Sequence, residues 1–235
     1  QTPGTPIDPE NPKGPKWPDE VTKDKLTKTV NETIHYVYAG GAKAADDKTD
    51  TVSFSRTATV DAVTGKFIAY GEWTADNNDT TFDAVKSPVI AGYTASGDVA
   101  AVTGLTADHE DVTATVTYTA DTQHATVTYI DEVTGEQLSV DHIDGDSNTK
   151  SNYTTDTKIK DYEKQGYKFA SSNFPDDGFT FDTDDDKSQD YTVKFTHDTT
   201  KTDTPQTPGT PIDPENPKGP KWPNEVTKDK LTKTV

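Results

Sequence analysis

Apolar and polar residues alternate with a period of two in five stretches of this chain. In Leu26–Tyr38 (LTKTVNETIHYVY), Val30, Ile34, Tyr36 and Tyr38 fall on one face, and Thr29, Thr33 and His35 on the other. Thr51–Val60 places Val52, Phe54, Ala58 and Val60 together, and Val112–Thr119 alternates Val112, Ala114, Val116 and Tyr118 with threonine. Ala125–Ile130 and Asp190–Thr196 behave likewise. Such alternation predicts half-buried strands, with β-branched threonine as the solvent-facing partner. Helical spacing is scarce. Thr155–Gln165 carries Ile159 and Tyr162 at i, i+3, Asp156 near its start and Gly166 at its stop, which predicts one short amphipathic helix. Thr81–Val85 reads as a shorter helical turn. The fold class is therefore mainly β, of the α+β kind.

Repeats organise these elements. Asp61–Lys66 (DAVTGK) and Asp131–Glu136 (DEVTGE) each follow a strand and supply a turn glycine, and Gly92-Tyr93 and Gly166-Tyr167 each open a further extended segment. Two copies of one small unit are expected, over 26–121 and 122–198. Their join, Asp121-Thr122-Gln123, is short, which favours an elongated end-to-end arrangement. The chain ends repeat as well: residues 206–235 match residues 1–30 at 29 of 30 positions, the exception being Asp19 against Asn224. This reads as one period of a tandem array with the next just begun, so missing leader and anchor signals are expected. Thirteen of the 15 prolines recur every third residue in the end segments. Polyproline II has three residues per turn, so Pro3–Pro18 is expected to form a stiff strut of roughly 45–50 Å. The expected division is a Pro-rich linker over 1–25, the two units, and a linker with the start of the next repeat over 199–235.

Charge follows the same division. The 41 acidic and 23 basic residues leave a net charge of −18. The two linkers are neutral in sum, so the folded middle holds all of it. A basic footprint for phosphate is absent, which excludes nucleic acid as a partner. No run of 18 apolar residues exists, so no membrane insertion is expected. Without cysteine there are no disulfides or thiolate nucleophiles.

Sequence motifs for catalysis are missing: no GxSxG, HExxH, GxGxxG or phosphate-cradling loop occurs, and no two of the five histidines stand at i, i+3 or i, i+4. No enzyme activity and no required cofactor are expected. Asp182, Asp184 and Asp186 alternate in an acidic loop and are candidates for a weak calcium site, although the EF-hand glycine and glutamate are lacking. The alternative is a solvated loop. Trp73, beside Tyr70 in a polar stretch, is the candidate ligand platform, because an aromatic face stacks on a sugar ring. Its alternative is edge packing.

Two segments carry a family resemblance. ATVTYIDEVTGEQL…YTTDTKIKDYEKQGYKF…DYTVKFTHD (Ala125–Asp198) resembles the mucin-binding module of Gram-positive surface proteins. KTVNETIHYVY…FDAVKSPVIAGYTAS…VTATVTYTA (Lys28–Ala120) is similar to the companion module of lactobacillal mucus-binding repeats. The resemblance implies two β-grasp (ubiquitin-like) modules, a wall-anchored adhesin at the surface of a gut bacterium, and mucin glycans as the partner. Each repeat would be a monomeric unit of a multivalent array, anchored through a signal outside this segment. It transfers no binding residue. Two other functions stay open: a protein-binding module, for example for immunoglobulins, and a passive stalk.

Overall fold

The structure is a computed structural model that describes residues 1–233; Thr234 and Val235, the last of the repeated end segment, lie outside the described residues. The chain divides into two compact units, Gln1–Thr119 and Ala120–Val235. Both are mainly β.

In the first unit a helical turn, α1 (Lys23–Leu26), leads into β1 (Thr27–Tyr38) and β2 (Lys43–Ser55). Then come β3 (Ala58–Val60), β4 (Phe67–Tyr70), β5 (Thr74–Ala75), β6 (Tyr93–Ala95) and β7 (Val112–Ala120). The main sheet has the order β5-β2-β1-β7-β6, and β3–β4 form a separate ribbon. The second unit holds β8 (Thr122–Asp131), β9 (Gln137–Asp146), α2 (Asp156–Glu163), β10 (Tyr167–Ser172), β11 (Gln189–His197) and a terminal helical turn, α3 (Lys228–Leu231). Its sheet runs β10-β11-β8-β9.

The two units share a plan. In each, the first and last strands lie side by side and parallel, β1 with β7 and β8 with β11, and the second strand returns antiparallel to the first. A parallel pair needs a crossover. In the second unit α2 supplies it. In the first unit the crossover is irregular, held by paired segments at Phe82↔Val102 and Val85↔Val99. The helical turn expected at Thr81–Val85 is thus absent: Phe82 and Val85 are both buried, in different core clusters, and each N–H donates across to the partner segment (2.9 Å to Val102 O and Val99 O).

The VTG turns match in geometry, not in place. Asp61 accepts the Val63 and Thr64 N–H groups at 2.8 Å, as Asp131 accepts those of Val133 and Thr134. Yet Asp131–Glu136 joins β8 to β9, whereas Asp61–Lys66 joins the added ribbon β3–β4. Strands β1 and β2 are joined by a separate turn with Gly41 at φ +89°. The expected strand Thr51–Val60 breaks for the same reason: Arg56 N–H closes the ladder on Leu26 O, and Ala58 and Val60 leave for the ribbon. The Gly-Tyr pairs do occupy equivalent places, opening β6 and β10 beside the last strand of each sheet.

The proline segments are not struts. Gly4 N–H donates to Trp17 O, Ile7 to Pro15 O and Trp17 to Thr5 O, each at 2.9 Å, so residues 1–18 fold back as a hairpin. Residues 206–223 repeat it: Gly209 to Trp222 O, Ile212 to Pro220 O and Trp222 to Thr210 O. Polyproline II leaves its N–H groups to solvent. Here the residues between the prolines keep their N–H donors, and Gly4, at φ +80°, with turns at Asp8–Asn11 and Asn11–Gly14, lets the chain reverse.

Each core lies on the face that alternation selects, with one addition. In β1 the parity that buries Val30, Ile34 and Tyr36 also buries Glu32. It separates two apolar clusters, one around Val30, Val52, Phe54, Phe82 and Leu105, the other around Ile34, Tyr36, Val116 and Tyr118. In the second unit the clusters around Tyr129 and Phe195 and around Ala125, Phe179 and Phe181 share Ile143, Phe174 and Tyr191.

Candidate functional site

Helix α2 lies against β10 and packs the half-buried Ile159 and Tyr162 against the buried Tyr129 and Phe195. The segment entering it and the loop leaving β10 carry the same tripeptide pattern, Ser151-Asn152-Tyr153 and Ser172-Asn173-Phe174. In both, the serine hydroxyl accepts the aromatic residue's N–H, at 3.2 and 3.0 Å. The two rings meet edge to face at 5.8 Å. Phe179 and Phe181 anchor the far end of the loop, where 179–181 pairs with 149–151.

Between these segments opens a cleft of about 430 Å³, walled by Tyr153, Phe169 and Phe174 and edged by Asp156, Asp176 and Asp177. Phe169 is 40% exposed. Lysine and arginine are absent from the lining. A second, shallower hollow shares Ser151, Asn152 and Tyr153. The Tyr153 hydroxyl is engaged on the inner side: it donates to Asp141 Oδ2 (2.6 Å) and accepts from Tyr129 Oη (2.7 Å). Burial, and then the bond to Asp141, push its pKa up, so it stays a neutral phenol. Lys158 balances Asp141 at 3.2 Å. Tyr153 therefore presents a fixed ring to the cleft. Aromatic walls with carboxylate, hydroxyl and amide groups suit a hydroxyl-rich ligand with apolar C–H faces.

Elsewhere the structure gives the candidate residues other surroundings. The guanidinium of Arg56 lies over Tyr70 (3.5 Å to the ring centroid) and Trp73 (4.5 Å), and Lys28 Nζ stands 5.2 Å from the Trp73 ring. Trp73 packs against the first unit's core, and Tyr70 Oη donates to Glu20 O at 3.2 Å. These aromatics are half-buried and hold cations of their own chain. Asp182 and Asp184 accept the N–H groups of Asp184 and Asp186, at 3.1 and 3.2 Å, and Asp184 pairs with Lys187. Among the described residues no three acids or histidines are grouped to hold a metal. The sequence reading missed Tyr153, Phe169 and Phe174; the doubled Ser-Asn-aromatic pattern was the signal for two of them.

A second feature of this unit is structural. Asp131, 2% exposed, accepts from His197 Nε2 at 2.9 Å as well as from its own turn. These bonds, the histidine first, hold its carboxyl down to about 2.

Comparison with known proteins assigns both units. The family model of the Muc B2-like domain matches residues 21–122, and that of the mucin binding domain matches residues 123–197. No curated protein matches the chain. Among solved structures, Mub-RV is 41% identical over 44% of this chain and 58% of its own, at a TM-score of 0.38. The type 2 repeat of the mucus binding protein MUB from Lactobacillus reuteri is 42% identical over 44% of this chain and 56% of its own, at 0.35. The chain thus spans little more than half of either structure. The MucBP domain of the adhesion protein from Pediococcus pentosaceus is 42% identical over 40% of this chain and 98% of its own, at 0.35. With a Muc B2-like domain followed by a mucin binding domain, the chain belongs to the family of mucin-binding repeats.

Proposed function

We propose that this chain is a non-enzymatic repeat of a bacterial surface adhesin, and that it binds neutral mucin glycans in the cleft of its second unit. The carrying observation is the cleft between α2 and the loop after β10, with three aromatic walls and three aspartates at its edge. Aromatic rings take the C–H face of a sugar, and carboxylates accept its hydroxyls. With no cation in the lining, sialate and sulfate are repelled, so neutral sugars are preferred. The order β10-β11-β8-β9 with one crossing helix supports reading this unit as β-grasp-like. The first unit follows the same strand plan without the helix. Extracellular display fits the surface role.

So shallow a site buries little ligand, and one repeat would bind weakly, on the order of sub-millimolar. Tandem copies would raise avidity by about 10²–10⁴ through effective concentration. The test is retention of the chain on immobilised mucin, before and after enzymatic removal of the glycans, with Phe169→Ala alongside. Loss of retention on deglycosylated mucin, and a roughly tenfold weaker Phe169→Ala, are expected. Full retention on the stripped protein would replace the glycan reading with protein recognition.

A further inference from the structure

The chain contains two copies of one 30-residue segment, and they are docked differently. In the leading copy the hairpin lies on the ribbon β3–β4. A Cβ on Gly65 would stand 2.5 Å from Lys16 O, so only glycine lets the two backbones approach. Tyr70 Oη holds Glu20 O, and Val21 is buried to 2% exposure. In the trailing copy the hairpin lies on the mucin binding domain instead. Asn216 Nδ2 donates to Lys164 O at 2.6 Å, and a Cβ on Gly166 would stand 3.0 Å from Pro220 Cγ.

These are different faces of the same object. Glu20 is half-buried and Val21 buried in the leading copy; their counterparts, Glu225 and Val226, are exposed and half-buried in the trailing one. Leu26 is half-buried, whereas its counterpart Leu231 is 40% exposed. Conversely Asn216 is half-buried and its counterpart Asn11 exposed. The one substitution, Asp19 against Asn224, is exposed in both. The Glu20–Leu26 side is thus the more open one in the trailing copy, and Asn11 is more open than Asn216, while Pro15 is half-buried and its counterpart Pro220 exposed.

We propose that in a tandem array every proline hairpin uses both faces at once. Its Asn216–Pro220 edge stays on the mucin binding domain before it, and its Lys221–Leu231 face seats the β3–β4 ribbon of a second copy of the first unit after it. The occupant is identified by this chain itself, because the same sequence already carries that ribbon at residues 16–21. The hairpin is then a fixed joint between repeats, and the spacing of successive glycan clefts is set by docking.

The test uses this chain extended by its own residues 31–235, so that segment 206–235 leads a second copy. Native cysteine is absent, so two introduced cysteines can be spin-labelled: Lys187→Cys, and the same change at the position of the appended copy equivalent to the exposed Val63. One narrow inter-label distance is expected, broadening in Asn216→Ala and in Gly166→Val. A label pair inside the mucin binding domain checks that neither variant has unfolded. A broad distribution in the parent chain, or one left unchanged by both variants, overturns the joint.

Discussion

The two units share their strand order and differ in what they bury and what they leave open. Each buries one carboxylate on its first strand. Asp131 has a histidine and two backbone donors. Glu32, also 2% exposed, sits between two apolar clusters with Oε1 unpartnered, and burial first, then Asp50, pushes its pKa up. Lys48 opposes that shift. The aromatics differ in the opposite sense. The first unit covers Tyr70 and Trp73 with Arg56, whereas the second leaves Tyr153, Phe169 and Phe174 around a cleft. A shared framework thus carries cation-covered aromatics in one unit and aromatics that line a cleft in the other.

The largest effect expected is from Phe195→Ala, which removes the fully buried ring that Tyr129, Tyr162, Tyr167 and Phe169 surround. It should cost about 3–5 kcal/mol. Calorimetry should show the second unit's transition lost or much lowered, with mucin retention gone and the first unit's transition unmoved. Equal loss in both transitions would mean the units do not fold separately.

Next is Glu32→Leu. A buried carboxylate with one unpartnered oxygen is replaced by an apolar group on a core face, and the first unit should gain about 1–3 kcal/mol at neutral pH. Mucin binding should not change. A drop in midpoint would show that Glu32 has a stabilising role there.

Acid should then separate the units. Asp131 has a lowered folded pKa, so its contribution is full above its ordinary 3.8 and is lost as pH falls towards about 2. Glu32 has a raised folded pKa, so its contribution is full below its ordinary 4.5 and is lost as pH rises through the folded value. Carboxyl-detected NMR should place the Glu32 midpoint above 4.5 and that of Asp131 near 2. His197→Ala should flatten the acid limb of the second unit alone. The smallest effect is calcium: with Asp182 and Asp184 occupied by their own loop, titration should give no heat and no change in melting temperature.

Much of this fold was legible from alternation, because a half-buried strand writes its two faces into the sequence. Helix α2 was legible from the Ile159–Tyr162 spacing with Gly166 at its stop, and the Gly-Tyr openings from their repetition in the two halves. The first half of β2, Lys43–Thr49, was not: it is largely exposed and is held by backbone pairing to β1, which leaves no side-chain pattern. The proline hairpins were misread because a three-residue period satisfies polyproline II and equally spares the N–H groups that close a hairpin. The cleft was hidden for a different reason. Phe169 and Phe174 stand beyond α2 from Tyr153 in the chain and share a cleft with it only in the tertiary fold, so no local window contains the site.

The most direct test of the account is an NMR titration of the intact chain with a neutral mucin-type oligosaccharide. Shift changes should gather at Tyr153, Phe169, Phe174 and the amides of 174–178, saturate weakly, and persist at high salt. Changes gathered instead around Tyr70 and Trp73, or none at millimolar ligand, would contradict it.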